Sequence, residues 1–208
     1  EQDVLGNAFT HLISYFQEMA SAATEIAQGN LSRHIHPQSE RDVLGHAFLN
    51  MSAYLNEMAT AAAAIAEGDI HQDIQPKTEQ DVLGNAFKEL ITYIQANAQV
   101  AEQLAQGDLS VNVTVLSDKD VLGKSFSRMV EMLKAIIEEI NVLIASAVEG
   151  RLNIRGEADQ FDGEYARLVS GINSVIDAFV VPINMTARYI DGITKGDIPD
   201  KITDEYKG

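Results

Sequence analysis

The sequence contains no cysteine and no tryptophan. Disulfides, thiolate zinc sites, iron–sulfur clusters and cysteine nucleophiles are therefore excluded. A reducing, cytoplasmic setting fits this composition. Basic residues are scarce: 15 Lys and Arg stand against 31 Asp and Glu, a formal net charge of −16. A nucleic-acid binder needs a basic face to replace phosphate counterions, and an anionic membrane surface repels such a chain. Neither partner is expected. Aromatic residues make up only 6%, which favours packed helices over a sheet core. No apolar run reaches the roughly 18 residues that cross a bilayer, so no membrane insertion is expected. No signal peptide is visible. The chain opens at Glu1 rather than methionine and stops in mid-pattern at Gly208, as an internal piece of a longer protein would.

What the sequence does contain is a repeat. Asp-Val-Leu-Gly begins at Asp3, Asp42, Asp81 and Asp120, each 39 residues after the last. A second marker, Gly-(Asn/Asp)-(Leu/Ile), begins at Gly29, Gly68 and Gly107, and returns in altered form at Gly150 and Gly196. A fixed period of this size indicates a repeat architecture.

Within each repeat the apolar residues step by 4 and 3. The second repeat gives Leu44, Phe48, Met51, Leu55, Met58, Ala62 and Ile65. The first gives Leu5, Phe9, Leu12, Phe16, Met19, Ala23 and Ile26, and the third Leu83, Phe87, Leu90, Ile94, Asn97, Ala101 and Leu104. This is a heptad seam and predicts coiled-coil helices. Ser39, Thr78 and Ser117, three residues before an aspartate, resemble capping boxes with Asp in place of Glu. The glycines Gly29, Gly68, Gly107, Gly150 and Gly196 stand where helices are expected to end in a left-handed residue. Each repeat thus reads as one helix of about 26 residues, near 39 Å long, and a polar connector of about 12 residues. The connectors carry spaced apolar pairs: Leu31 and Ile35, Ile70 and Ile74, Leu109 and Val113. These are expected to anchor the connector in a groove between helices. Pro37 and Pro76 keep it extended. A connector this long can return along one helix and start the next in the same direction. Two parallel helices bury little alone, so a second chain is implied.

At this point the sequence resembles a run of HAMP domains, the relay modules of bacterial and archaeal sensors. The terminating glycine, the two anchors and the Asp-x-x-Gly start motif (Asp3 and Gly6, Asp42 and Gly45, Asp81 and Gly84, Asp120 and Gly123) occur in that family's order. The resemblance implies an all-α fold: parallel homodimeric four-helix coiled coils stacked in a continuous rod. It implies a truncated unit's second helix at 1–16, full units at 14–56, 53–95 and 92–134, a divergent unit at 135–180 and a further half unit at 181–208. One departure matters. The family's glutamate is replaced by Val4, Val43, Val82 and Val121, so a bond from that glutamate to the first helix is expected to be missing.

The last third changes its spacing. Gly123 to Gly150 is four residues longer than the 23-residue interval of the earlier repeats, a stutter that unwinds a coiled coil locally. Pro182 is expected to open a helix, because proline suits the first turn. Asp162 to Tyr165 and Asp204 to Gly208 stand where the start motif is due. This tail resembles segments preceding the stem of methyl-accepting chemotaxis receptors and of some histidine kinases.

No catalytic, cofactor or metal site is expected. His34 and His36 alternate, but no acidic or thiol partner completes a metal set, so they read as solvated. No histidine has a kinase phosphoacceptor context. Gly123-Lys124-Ser125 lacks the preceding glycine of a phosphate loop. Asn97 occupies the seam position of Met19 and Met58. It reads either as a register residue pairing with its symmetry mate or as a locally wet seam. The functional expectation is an intramolecular relay. It would pass a conformational change between input and output domains of a dimeric, chemoreceptor-like sensor. The alternatives are a passive coiled-coil spacer, or the relay of a histidine kinase or cyclase. The partners implied are a second copy of the chain and its adjacent sensor and output domains.

Overall fold

Three of the helices begin one residue after the aspartate of their tetrapeptide. The computed structural model describes residues 2–198, with side chains from Val4 onward. Its helices are α1 (Gln2–Ala27), α2 (Val43–Ala66), α3 (Val82–Ala105), α4 (Val121–Val148) and α5 (Gly163–Thr194). A 3-10 turn, Ala158–Gln160, precedes α5. The fold is all-helical, and there is no strand among the described residues. Asp3 and Gly6 lie inside α1; the pattern expected at Asp204 to Gly208 lies outside the described residues.

The aspartates are the N-caps. Asp42 Oδ1 accepts from the Gly45 N–H at 2.8 Å, and Asp120 Oδ1 from the Gly123 N–H at 2.8 Å. Each satisfies a first-turn amide that has no partner within its helix. This corrects the capping boxes expected at Ser39 and Ser117. Their hydroxyls accept from the Arg41 and Lys119 N–H groups instead, two residues on, inside the turn that leads to the cap. The helix ends share one geometry. Gly29, Gly68, Gly107, Gly150 and Gly196 have φ between 77° and 94°. At Gly29, its N–H donates to Ile26 O and the Asn30 N–H to Glu25 O, both at 2.9 Å. This paired arrangement satisfies the last carbonyls of the helix.

The chain divides into two compact units, residues 1–99 and 100–208. In the first, the connectors span residues 28–42 and 67–81, longer than expected because the start motif itself caps the next helix. In the second, α4 has 28 residues against 24 in α2, which absorbs the four-residue stutter. Its core is Ile136, Phe161 and Val169, flanked by Met132, Ile140, Ala158 and Ala166.

One expectation is corrected in α5. Pro182 does not open a helix; α5 runs through it. Proline removes the hydrogen bond to the carbonyl four residues back, at Ala178. Ala178 is exposed, so water can take that bond. Thr186 Oγ1 donates to Pro182 O at 2.9 Å on the next turn. Also, α5 contains an 18-residue window of mean hydropathy 1.5, long and apolar enough to cross a membrane by length and composition. Isolated polar residues such as Asp177 interrupt every apolar run, and averaging over the window hides them.

Candidate functional site

In the first unit the connectors run beside successive helices, and each buries one anchor. Ile35 is 4% exposed and packs with Met19 and Ala22 of α1, flanked by Tyr15, Ile26 and Phe48 of α2. Ile74 is 5% exposed and packs with Met58 and Ala61 of α2 and Ile91 of α3, flanked by Tyr54, Ile65 and Phe87. The clusters are built alike, one period apart. Each joins the second half of one helix, a connector and the first half of the next. Helix α2 serves both, through Phe48 in the first and Met58 in the second.

The other anchors, Leu31 and Ile70, are half-buried. Their carbonyls are held by the following helix: Asn56 Nδ2 donates to Leu31 O at 3.2 Å and Gln95 Nε2 to Ile70 O at 2.8 Å. In the second unit Leu109 and Val113 are half-buried.

The start motif forms a junction. Asp42 accepts from the Gly45 N–H, from the Gln38 N–H at 2.8 Å and from the Tyr15 hydroxyl at 2.5 Å. Asp81 accepts from the Gly84 N–H, the Lys77 N–H and the Tyr54 hydroxyl, with the same three distances. One carboxylate thus ties the preceding helix, the connector and the next helix. Valine in place of the family's glutamate can make no such bond from its own side chain. The tie to the first helix exists, and it runs from tyrosine to the aspartate. The tyrosine bond, followed by the two backbone amides, holds both carboxyls below their ordinary range. The same carboxylates push the tyrosine hydroxyls up. Glycine is needed beside them. A Cβ on Gly45 would collide with the Asp42 carboxylate and lie 3.0 Å from Pro37 Cα. Gly84 stands in the same relation to Asp81 and Pro76.

The heptad seam divides. Met19 and Met58 are buried within the chain, while the seam residues Leu44, Met51, Leu83 and Leu90 of α2 and α3 face outward, 38–46% exposed. A 3.5-residue stripe is wide enough to serve two neighbours, and one chain covers only one side of it. Asn97, at the position of Met19 and Met58, is buried. Its Nδ2 donates to Tyr93 O at 2.8 Å, within its own helix. The amide's second N–H and its Oδ1 are not needed for that bond, so it is compatible with pairing to a symmetry mate. His34 and His36 stack with centroids 6.4 Å apart. Among the described residues no three His, Asp or Glu side chains are placed to hold a metal.

Sequence reasoning missed Tyr15, Tyr54, Asn56 and Gln95. The signal was present, since each pair is 39 residues apart, and Tyr93 with Asp120 repeats the tyrosine-to-aspartate spacing. It also missed the second unit's clamp. Asn173 Oδ1 accepts from the Gly156 N–H at 2.8 Å and its Nδ2 donates to Gly156 O at 2.9 Å. A Cβ on Gly156 would lie 2.6 Å from Val169 Cγ1. Arg155 donates to Asp177 beside it, at 2.6 and 3.0 Å.

The HAMP domain family matches residues 48–96, the segment from Phe48 through the Ile74 connector to the first half of α3. A second HAMP domain match covers residues 160–208. The chain carries two HAMP domains in tandem. No curated protein and no solved structure matches it significantly. HAMP domains are helical coiled-coil relay modules of sensor proteins, generally dimeric and non-catalytic. They lie in the cytoplasmic region of membrane sensors. In those terms the Ile74 cluster is the interior of the first matched HAMP domain within one chain. The Tyr54–Asp81 junction closes its connector onto both helices.

Proposed function

We propose that this chain is a poly-HAMP relay. It works as a parallel homodimer and passes a conformational change from a sensor domain to an output domain of a chemoreceptor-like protein in the cytoplasm. The observation that carries this reading is the double duty of α2. Phe48 belongs to one cluster and Met58 to the next, on one uninterrupted helix. A turn of α2 that repacks Phe48 must also displace Met58, so neighbouring units bias one another. The roles of the glycines, anchors and start motifs follow: they fix where each helix stops, how the connector is held and where the next helix begins.

The homodimer is supported by seam residues of α2 and α3 that stay exposed although a helix and a connector precede each of them: Leu44, Met51, Leu83 and Leu90. Covering the part of each of these side chains that is still exposed contributes roughly 1 kcal/mol. A two-chain bundle supplies that cover and agrees with how HAMP domains assemble.

Sedimentation equilibrium of the chain over a range of concentrations tests the assembly. A dimer is expected, and a well-folded monomer at high concentration would overturn it. Ile74→Ala in the full-length protein tests the relay. Altered downstream output in folded protein is expected, whereas a passive spacer would lose only stability.

A further inference from the structure

The phenol–carboxylate bonds pair groups that belong to different helices. In both junctions the acceptor is fixed. Asp81 is held by the Gly84 and Lys77 amides, against a glycine where no side chain fits, and Asp42 is held likewise. The donor is not fixed by the same groups. Tyr15 and Tyr54 stand on the preceding helix, on the stripes Tyr15, Met19, Ala22, Ile26 and Tyr54, Met58, Ala61, Ile65 that face the connector.

From this geometry we infer that Tyr15 and Tyr54 are positioning residues that latch the rotational setting of each helix against the start of the next. The inference rests on the relay reading and names the groups that hold one of its settings. Side chains reach about 5–6 Å from a helix axis, and tyrosine further. Winding that shifts between 3.6 and 3.5 residues per turn rotates a helix about 20° per heptad. At that radius the hydroxyl moves about 2 Å. A bond of 2.5 Å then exceeds hydrogen-bonding distance. The apolar contacts of Met58 and Ala61 tolerate such a turn better, because dispersion contacts are many and non-directional. The latch is therefore more sensitive to rotation than the apolar core beside it. It is made in the setting described here and lost in a rotated one.

The absence of native cysteine makes the test direct. Ala62 and Ala64 flank the Met58–Ala61 stripe of α2 on opposite sides, Ala62 exposed and Ala64 half-buried. Single variants Ala62→Cys and Ala64→Cys in the full chain give two thiols, whose alkylation rates report exposure on each flank. Adding Tyr54→Phe removes the latch and keeps the ring. A rotation changes the two rates in opposite directions, and a shift of about threefold each way is expected. Ile74→Val, which loosens the core but leaves the bond, should raise both rates together. Rates that rise together in Tyr54→Phe, or do not change, overturn the latch. Downstream output in Ile74→Ala is read separately. An altered output with unmoved flank rates removes the latch and keeps the relay, and opposed flank rates with unaltered output remove the relay.

Discussion

The Tyr15 hydroxyl donates to Asp42 Oδ1 at 2.5 Å, across 27 residues, and Tyr54 meets Asp81 one period later at the same distance. An aspartate whose local task is to cap a helix thereby also joins that helix to the one before it. The third donors, the Gln38 and Lys77 amides, bring in the connector. Three segments meet at one charge, so changing that charge should act on all three.

The pH response follows from the directions of the shifts. Asp42 and Asp81 are lowered by the tyrosine bond first and the backbone amides next. Stability from a lowered carboxyl is present above the ordinary aspartate range and lost as pH falls through its folded value. Tyr15 and Tyr54 are raised by the carboxylate they donate to. Their contribution is present below the ordinary tyrosine range and lost as pH rises through the folded value. Thermal melts across pH should therefore show losses at both the acid and alkaline ends. Tyr15→Phe with Tyr54→Phe should flatten the alkaline loss. An alkaline limb unchanged by the double variant would contradict the assignment.

Two helical glycines should respond with opposite signs. In Gly84→Ala the new Cβ meets the Asp81 carboxylate and the backbone of Pro76. The melting temperature should fall, although alanine is the better helix former by about 1 kcal/mol. In Gly171→Ala the Cβ meets nothing within 4 Å in the chain. That variant should gain up to about 1 kcal/mol. Calorimetry of the two variants side by side checks the pair.

The two anchors of one connector should differ. Ile74→Ala empties a buried position among Met58, Ala61 and Ile91 and should cost about 2–4 kcal/mol. Ile70 is half-buried, so Ile70→Ala should cost less. Urea denaturation that ranks Ile70→Ala as the more damaging would contradict the packing described here.

Asn97→Ile replaces a buried amide that gives one of its two N–H groups to its own helix. No buried partner is stranded, because the Tyr93 carbonyl belongs to a helical ladder. The melting temperature should rise. If Asn97 also sets register between two chains, sedimentation should show a broader spread of oligomers. A lowered melting temperature would mean that the amide has a second partner.

Much of the fold was legible because period 39 repeats its punctuation. An aspartate that can cap and a glycine that can turn left-handed act within a few residues, so their effects follow from sequence alone. Helix α2 between Asp42 and Gly68 is such a case. The capping task was misassigned to Ser39 because serine and aspartate compete for the same amides. Only the turn geometry, with the Ser39 hydroxyl facing Arg41, separates them. Pro182 was misread for a different reason. Proline's cost in a helix depends on whether the freed carbonyl finds water, and that depends on exposure.

The sequence by itself determined helices α1 to α4, their order, the connectors and their apolar anchors, because these rest on local backbone preference and periodicity. Only the tertiary structure decided which side of each heptad stripe is covered within the chain and which faces outward. It alone placed Tyr15 on Asp42 and Tyr54 on Asp81. The reason is distance along the chain. A cap or a left-handed glycine acts within about one helical turn, whereas a bond across 27 residues exists only once two helices and a connector have settled against one another.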